Sequence, residues 1–279
     1  MAAVDGSFVF NGQRIDYTDY GDGEQVLVLA HGLLMNRHMY DQLAPEMASR
    51  GIRVITVDLL GHGTSDKPAD MRAYTMTTFA DQLAALIDHL ELDRPVVGGT
   101  SLGANCSLEL AARHPRAARA LLIEMPVLDN ALVAAGLLFL PILVSLRVAK
   151  PLLRGVAAVT TRIPRTTFLV DICLDWTRRS PESSEAVLEG VLFGRTAPPR
   201  DERQLIGLPT LVIGHPNDPL HPFTDSDMLV EELPRARLVN AESIVEWRVS
   251  HGRLDDELAS FIADVYADEP AERAQTAAP

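Results

Sequence analysis

Short apolar runs alternate with helical patterns along most of the chain, and this alternation constrains its fold more than any other feature. Residues 26–30, 52–58 and 96–99 have the length and composition of buried strands. Residues 74–90 carry apolar side chains at three- and four-residue spacing, which predicts an amphipathic helix. Because strands that alternate with helices form βα units, the chain is predicted to be an α/β protein with a mostly parallel sheet.

The alternation stops between residues 126 and 205, where the pattern is helical and punctuated by proline. A strand pattern resumes at residues 209–214. We therefore predict a sheet domain formed by residues 1–125 and 206–267, with a helical cap insertion between them. Residues 268–279 are rich in Ala, Glu and Pro and are predicted to be a flexible tail.

Composition narrows the function classes. The 279 residues are 47% hydrophobic and 23% charged, which is typical of a soluble globular protein. The net charge of −13 disfavours nucleic acids and anionic lipids as partners. The two cysteines lie far apart, and no metal-ligand spacing, phosphate loop or dinucleotide fingerprint occurs, so neither a metal nor a cofactor is expected. The first ten residues lack the pattern of a secretory signal, which favours a cytoplasmic location.

The strongest chemical feature is Gly99-Thr100-Ser101-Leu102-Gly103, a G-x-S-x-G sequence between a predicted strand and a predicted helix. In this context the small neighbours allow a sharp turn, and the serine hydroxyl projects above the sheet. Ser101 is therefore predicted to be a nucleophile. The alternative is a glycine-rich turn that carries no chemistry.

Acyl transfer also requires two backbone N–H groups directed at the oxyanion. The amide of Leu102 is predicted to be one, and the amide of Leu33 or Leu34, at the end of an early strand, the other. His31 in the same run is expected to be structural, because it comes too early in the chain to be the base. Three residues near these groups are predicted to bind substrate: Leu34, His38 and Thr100.

Together these features resemble the α/β-hydrolase superfamily. The matching elements are His31-Gly32, the run of residues 58–65, the turn around Ser101, and Asp218 after a late strand, and they extend over residues 8–265. The chain is similar to single-domain serine hydrolases with a helical cap, a branch that includes esterases, lipases and C–C hydrolases. The resemblance implies an eight-stranded, mostly parallel sheet flanked by helices. Related epoxide hydrolases and haloalkane dehalogenases differ in carrying aspartate at the nucleophile position.

The resemblance also implies an acid and a base that follow Ser101 in the chain. Asp218 follows the strand after the cap and is predicted to be the acid, with Asp129 as the alternative. The base is expected after the last strand, where Glu246 stands near the position at which relatives carry histidine. His251, about five residues later, is predicted to be the base.

Other histidines receive structural roles in this interpretation. His215 and His221 flank Asp218 and are expected to make hydrogen bonds that stabilise the loop, since a base on the acid's own loop would be unusual geometry. His62 lies in a Gly-His-Gly turn and is expected to be structural.

An uncharged apolar segment covers residues 131–146. It is shorter than a bilayer crossing requires and contains Pro141, so a buried or interfacial helix is expected rather than stable membrane insertion. Over Ser101 it would form an apolar roof suited to an acyl chain or an aromatic ester. The alternative is that its residues pack only on each other and on the sheet.

These observations predict a serine hydrolase that cleaves a carboxylic ester, or a related acyl or C–C bond, of a small apolar substrate. The alternative is a hydrolase-fold protein with an incomplete triad that binds a small apolar ligand or a partner without hydrolysis. A small-molecule substrate is the expected partner, and the sequence is compatible with a homodimer.

Overall fold

The computed structural model describes residues 3–164, 170, 174–175, 177–243, 246–249 and 252–276. Within these residues the strands are β1 (Val4–Phe10), β2 (Gln13–Tyr20), β3 (Gln25–Ala30), β4 (Ile52–Val57), β5 (Val96–Thr100), β6 (Ala120–Glu124), β7 (Thr210–Gly214) and β8 (Ala236–Asn240). They form one sheet in the order β1-β2-β4-β3-β5-β6-β7-β8. β2 pairs antiparallel with β1 and β4, and every other pairing is parallel. The predicted α/β architecture with a mostly parallel eight-stranded sheet is confirmed.

The described α-helices are numbered in chain order. They are α1 (Leu43–Ser49), α2 (Met76–His89), α3 (Leu102–Arg113), α4 (Leu132–Val148), α5 (Lys150–Thr160), α6 (Pro181–Leu192), α7 (Arg200–Arg203), α8 (Phe223–Glu232), α9 (Glu246–Val249) and α10 (Arg253–Thr276). Two short 3-10 helices cover Arg37–Tyr40 and Met71–Tyr74. Residues 268–276, which the sequence predicts to be tail, continue the last helix in the structure, as their many alanine and glutamate residues favour.

Both faces of the sheet are covered by helices. Val26 and Val28 of β3 belong to the apolar cluster that contains α2 and α3, whereas Leu27 and Leu29 belong to the cluster that contains α1 and α10. Successive strand residues point to opposite faces, so a strand buried on both sides has a continuous apolar sequence rather than an alternating one. This is why the central strands could be recognised as short apolar runs.

The cap lies between β6 and β7 and contains α4 to α7. Ion pairs join α4 and α5 to α6, through Arg147 with Glu189 and Arg154 with Glu182. The buried carboxylate of Asp225, at the start of α8, accepts hydrogen bonds from the backbone amides of the segment that leads into α4. The cap is therefore attached to the sheet domain at its base.

The apolar segment of the cap is only partly buried. Ala135, Leu143 and Leu146 of α4 face inward, but Leu137 and Val148 on the other side are 75% and 77% exposed. No single described helix is long and apolar enough to cross a membrane, and α4 and α5 meet that test only as a pair bent by 98°. The predicted absence of stable membrane insertion stays a prediction.

Candidate active site

Ser101 occupies a strained turn between β5 and α3. Its backbone has φ 54° and ψ −107°, in a region that few residues other than glycine adopt. A Cβ atom on Gly99 or Gly103 would lie 2.0 Å or 1.9 Å from the carbonyl oxygen of Ala30 on β3. Only glycine fits at both positions, so this spacing of small residues holds the serine at the edge of the sheet and directs its hydroxyl outward.

A histidine contacts the serine, and it is His221. Its Nε2 lies 2.9 Å from Ser101 Oγ, and its Nδ1 lies 2.9 Å from Asp218 Oδ2. Asp218 and His221 stand three residues apart in the loop that joins β7 to α8. The carboxylate also accepts hydrogen bonds from the amides of Leu220 (2.8 Å) and His221 (3.0 Å), which closes the loop into a tight turn.

The electrostatics of this pair define the proton positions. Burial raises the pKa of Asp218, but the hydrogen bonds from His221 and the amide of Leu220 outweigh it and leave this pKa below its ordinary value. An ionised carboxylate can only accept, so Nδ1 of His221 carries a proton and donates it to Asp218. In the neutral ring Nε2 then has a free lone pair directed at the Ser101 hydroxyl. This arrangement allows the ring to take a proton from the serine.

The structure thus brings two of the three predicted catalytic residues together, Ser101 and Asp218, and adds His221. His251, the predicted base, lies outside the described residues. The expectation that His221 only stabilises its loop is incomplete, because the same ring bonds both the loop carboxylate and the serine. Two features of the sequence could have identified His221 as the partner of Ser101. It follows Asp218 by three residues, and Glu246, not a histidine, stands near the position at which the resemblance implies the base.

The alternative acid lies elsewhere. Asp129 is 67% exposed at its side chain and pairs with Arg203 at 3.3 Å. Glu246, near the position at which the resemblance implies a histidine, pairs with Arg253 at 2.9 Å and accepts a hydrogen bond from the amide of Glu242. Both carboxylates therefore make structural contacts.

Backbone amides near Ser101 can serve as an oxyanion hole. The amide of Leu34 donates to Nε2 of His62 at 3.3 Å, and the amide of Met35 donates to the carbonyl of Gly32 at 3.1 Å. Among the described residues, the amides of Leu33 and Leu102 have no acceptor, and both residues line the cavity that contains Ser101. The geometry therefore favours Leu33 over Leu34 as the partner of Leu102.

Two buried histidines hold this turn in place. His31 accepts a hydrogen bond from the amide of Leu59 at Nε2 and donates from Nδ1 to the carbonyl of Gly32. His62 likewise accepts from the Leu34 amide and donates to a carbonyl. Burial lowers the pKa of His31 to about 4, although Asp58 opposes the shift, and burial also lowers the pKa of His62 well below its ordinary value. Both rings are therefore neutral and structural, as the sequence analysis expects.

The run of residues 58–65 supports the same turn through a buried ion pair. Asp58 bonds the guanidinium of Arg37 and accepts from the amides of Arg37 (2.7 Å) and Thr64 (2.9 Å). Burial raises the pKa of Asp58, but Arg37 and these amides outweigh it, so the pKa lies below its ordinary value. The pair connects the loops after β3 and β4, which form one side of the site.

The cavity above Ser101 has a volume of about 390 Å³. Its walls are mostly apolar and include Met76, Phe139 and Leu220, with α4 of the cap forming the roof. Asn105 contributes a polar group at one side, and its amide donates to the carbonyls of Val127 (2.8 Å) and Thr196 (2.9 Å). A cavity of this size and composition suits a small apolar ligand with few polar contacts.

The three predicted substrate-binding residues do not line this cavity. The Thr100 hydroxyl points beneath the sheet edge, where it bonds Glu124 and the Tyr40 hydroxyl. His38 is half-exposed and pairs with Asp41 at 3.0 Å. Leu34 lines a different cavity. Thr100 adjoins Ser101 in the chain, and Leu34 and His38 follow β3, but none of the three side chains lines the Ser101 cavity.

A buried polar network lies under the nucleophile. Glu124 at the end of β6 bonds Thr100 and, at 3.0 Å, Nε2 of His215. Nδ1 of His215 bonds the carbonyl of Ser243 at 2.9 Å. This network fixes the ends of β5, β6 and β7 relative to one another. Among the described residues, no group of three or more His, Cys, Asp or Glu side chains could hold a metal ion.

Comparison with known proteins places this geometry in context. A family model described as alpha/beta hydrolase fold matches residues 25–242. The chain is 36% identical over 96 residues to AB hydrolase superfamily protein YisY of Bacillus subtilis (strain 168), which covers 34% of this chain and 35% of that protein. It is 38% identical over 79 residues to 2-hydroxymuconate semialdehyde hydrolase of Pseudomonas sp. (strain CF600), 28% of this chain and 27% of that protein. The chain thus matches about a third of the length of these curated relatives.

Solved structures match over a larger share of the chain. The enol-lactonase from Burkholderia xenovorans LB400 superposes with a TM-score of 0.73 at 20% identity, over 94% of this chain and 100% of that one. An esterase from Exiguobacterium antarcticum superposes with a TM-score of 0.73 at 20% identity, over 91% and 97%. At these identities the likeness establishes a common fold.

Proposed function

Because the chain belongs to the α/β-hydrolase fold family, we propose that it is a serine hydrolase that cleaves a carboxylic ester of a small apolar substrate. The observation that carries this proposal is the series of hydrogen bonds from Ser101 through His221 to Asp218, at 2.9 Å for each contact of the ring. Nucleophile, base and orienting carboxylate are within the distances that proton transfer requires.

In the first half of the reaction, Ser101 Oγ bonds to the carbonyl carbon of the ester while its proton passes to Nε2 of His221. The carbonyl oxygen becomes an oxyanion and accepts hydrogen bonds from the amides of Leu33 and Leu102. Asp218 stabilises the imidazolium through Nδ1. The bond to the alcohol oxygen then breaks, the alcohol takes the proton from Nε2, and an acyl-enzyme remains on Ser101.

In the second half, water attacks the acyl carbon and gives a proton to Nε2 of His221. The bond to Ser101 Oγ breaks, the serine recovers that proton, and a carboxylic acid leaves. The serine and histidine return to their starting states, so no cofactor is required for this sequence of steps. His251 is the alternative base. Replacing each histidine in turn by alanine distinguishes it from His221.

The apolar walls of the cavity support an acyl chain or an aromatic group as the body of the substrate. The alternative function, ligand binding without hydrolysis, depended on the lack of a histidine at the usual position. His221 contacts Ser101 and can act as the base. The main argument for a binding protein without hydrolysis is therefore weakened.

The first test is turnover of p-nitrophenyl butyrate by the wild-type protein, Ser101→Ala and Ser107→Ala. Ser107 is a matched control because it lies on α3, which Ser101 directly precedes, and among the described residues its hydroxyl bonds the Gly103 carbonyl alone, at 2.8 Å. We expect turnover to fall about 10⁴-fold or more in Ser101→Ala, because the nucleophile is absent, and to persist in Ser107→Ala.

A fluorophosphonate probe tests the same serine without requiring the right substrate. Mass spectrometry of the labelled wild-type protein should locate the adduct on Ser101. Undiminished turnover in Ser101→Ala, or an intact wild-type protein that neither turns over esters nor accepts the probe, would contradict the proposal and favour the binding function.

A further inference from the structure

A second cavity, of about 290 Å³, lies beside the one that contains Ser101. Its walls are largely apolar and include Leu34, Ile142 and Leu153. Among the described residues on its walls, one is charged, and this is Arg179, which precedes α6. A guanidinium in an otherwise apolar cavity requires an explanation, because an unpaired charge is costly to remove from water.

Arg179 lacks an anionic partner within the described residues. Its Nη2 donates to the carbonyl of Gly61 at 2.8 Å, and its Nε donates to the Ser184 hydroxyl at 3.3 Å. Both acceptors are neutral, and the Nη1 group donates to no described atom. Several other arginines of the described cap differ from Arg179 in making ion pairs. They are Arg147 with Glu189, Arg154 with Glu182, Arg178 with Asp175, Arg195 with Glu109, and Arg200 and Arg203 with Glu232.

The guanidinium stays charged despite its surroundings. Burial lowers the pKa of Arg179 to about 10, and Asp58 opposes the shift without forming an ion pair. The side chain is therefore cationic at neutral pH, in a protein whose net charge is −13. The hydrogen bonds to Gly61 and Ser184 hold the fork in place and leave Nη1 available to a ligand.

The two cavities are lined by neighbouring residues of the same turn and the same helix, and this relates Arg179 to the cavity that contains Ser101. Leu33 lines the Ser101 cavity and Leu34 lines the second one, so they are adjacent at the oxyanion turn. Along α4, Gly136 lines the first and Ser145 the second. These two residues are separated by about 13 Å along the helix axis, from the usual rise per residue.

We propose that Arg179 binds a carboxylate at the far end of the substrate whose ester is cleaved at Ser101. The substrate class is then an ester with an apolar chain that ends in a carboxylate. This inference rests on the proposed hydrolase function and specifies its substrate. A single carboxylate matches the one fork of donors in the cavity, whereas a phosphate dianion would require further cations, and none is present on the described walls.

Turnover of paired esters tests the selectivity. The p-nitrophenyl hemiester of sebacic acid is compared with p-nitrophenyl decanoate, and the hemiester of adipic acid with p-nitrophenyl hexanoate, in the wild type, Arg179→Met and Arg154→Met. Arg154 is the control because it is an exposed cap arginine paired with Glu182. We expect Arg179→Met to lower the ratio of kcat/KM for the sebacic hemiester over decanoate by about 10- to 100-fold, mainly through KM, because a charge-assisted hydrogen bond is lost.

Arg154→Met should leave that ratio unchanged, and Arg179→Lys should recover part of it because the charge is kept. The effect should be smaller for the adipic pair, because its shorter chain places the carboxylate closer to the ester. An equal ratio in the wild type and Arg179→Met for both pairs would overturn the proposal, as would a loss confined to overall activity.

A binding measurement separates this inference from the hydrolase function. Sebacate is titrated calorimetrically into Ser101→Ala and into Ser101→Ala/Arg179→Met, with decanoate and inorganic phosphate titrated in parallel. Arg179-dependent binding of sebacate, weak for phosphate, would support the subsite even if no ester were turned over. Ester turnover without any Arg179-dependent binding of sebacate would leave the hydrolase function intact and refute the subsite. Phosphate binding as tight as that of sebacate would refute the assignment to a carboxylate.

Discussion

The loops that follow β7 and β8 leave the sheet at the same edge, yet they contact different parts of the molecule. The loop after β7 directs the side chain of His221 at the cavity and supports it with Asp218, at a hydrogen-bond distance of 2.9 Å. Their side chains are 12% and 7% exposed, so the pair is shielded from water although it belongs to a loop. This loop therefore holds the pair that contacts Ser101, and it is the part of the edge for which we propose a catalytic role.

The described part of the loop after β8 is closed by contacts among its own residues and with α10. Glu246 pairs with Arg253 at 2.9 Å, and the indole of Trp247 donates to the buried carboxylate of Asp255 at 2.8 Å. His215 connects the two loops, because its ring lies between Glu124 and the carbonyl of Ser243. The described contacts of the loop after β8 are therefore structural, and through His215 they also hold the start of the loop after β7.

The difference shows how the histidine that contacts a serine can come from a different loop while the chain order of serine, acid and histidine stays the same. β7 and β8 are parallel neighbours, and adjacent strands lie about 5 Å apart, so a base can come from either loop and still reach the same serine. A triad is defined by the distances between nucleophile, base and carboxylate rather than by sequence position. In this chain the acid and the histidine that contacts Ser101 come from a single turn.

The sharpest test of this comparison replaces one histidine from each loop. We expect His221→Ala to lower kcat/KM for p-nitrophenyl butyrate by about 10⁴-fold or more, because Ser101 loses the acceptor of its proton. His251→Ala should retain activity within a few-fold. Both are measured at saturating and limiting ester, with thermal unfolding of each variant to verify that it is folded.

The opposite pattern is a large loss of kcat/KM in His251→Ala and a small one in His221→Ala. It would identify His251, after β8, as the base. His221 would then be limited to its contact with Asp218, which is the role that the sequence analysis assigns to it. Equal large losses would mean that both loops take part, and the comparison would fail.

The acid on the first loop gives the next largest effect. Asp218→Asn should lower kcat by about 10³- to 10⁴-fold, because an amide can stabilise neither the imidazolium nor the tautomer that leaves Nε2 free. Asp129→Asn is the control, since its side chain is exposed and pairs only with Arg203 among the described residues. Comparable losses in the two variants would argue against Asp218 as the acid.

The same Asp218 variant has a pH signature in stability. The pKa of Asp218 is lower in the folded protein than its ordinary value of 3.8. A carboxyl of this kind stabilises the folded state above its unfolded pKa, and the stabilisation is lost as pH falls through the folded pKa. The difference in unfolding free energy between wild type and Asp218→Asn should therefore be constant near neutrality and shrink below pH 3.8. A difference that grows on acidification would mean that the pKa is raised instead.

Much of the fold could be predicted because local patterns determine it. The strand before Ser101 is predicted at residues 96–99 and observed at Val96–Thr100, and a helix follows Ser101 as predicted, since the glycine spacing and the apolar runs have simple steric causes. The turn of the opening hairpin is similarly local, with Asn11 and Gly12 at φ 48° and 77°.

The remaining details depend on contacts between distant segments, and local patterns do not contain them. The choice between His221 and His251 depends on how two loops fold over one serine. The choice between the Leu33 and Leu34 amides depends on His62, which occupies the Leu34 amide from another loop. The segment of residues 131–146 is apolar on all sides, so its sequence could not reveal which face lies over the cavity and which is exposed.

The smallest expected effect belongs to the second loop and concerns stability. Asp255→Ala removes the acceptor of the Trp247 indole, and both side chains are buried, so the unfolding free energy should fall by about 1–3 kcal/mol. Asp256→Ala is the matched control on the same turn, because its side chain is 70% exposed and its pair with Arg50 contributes little. Urea denaturation gives the stabilities, and ester turnover per folded molecule should be close to wild type in both. A loss of turnover in Asp255→Ala without a loss of stability would mean that the loop after β8 acts on the reaction itself. The assignment of a purely structural role to that loop would then be wrong.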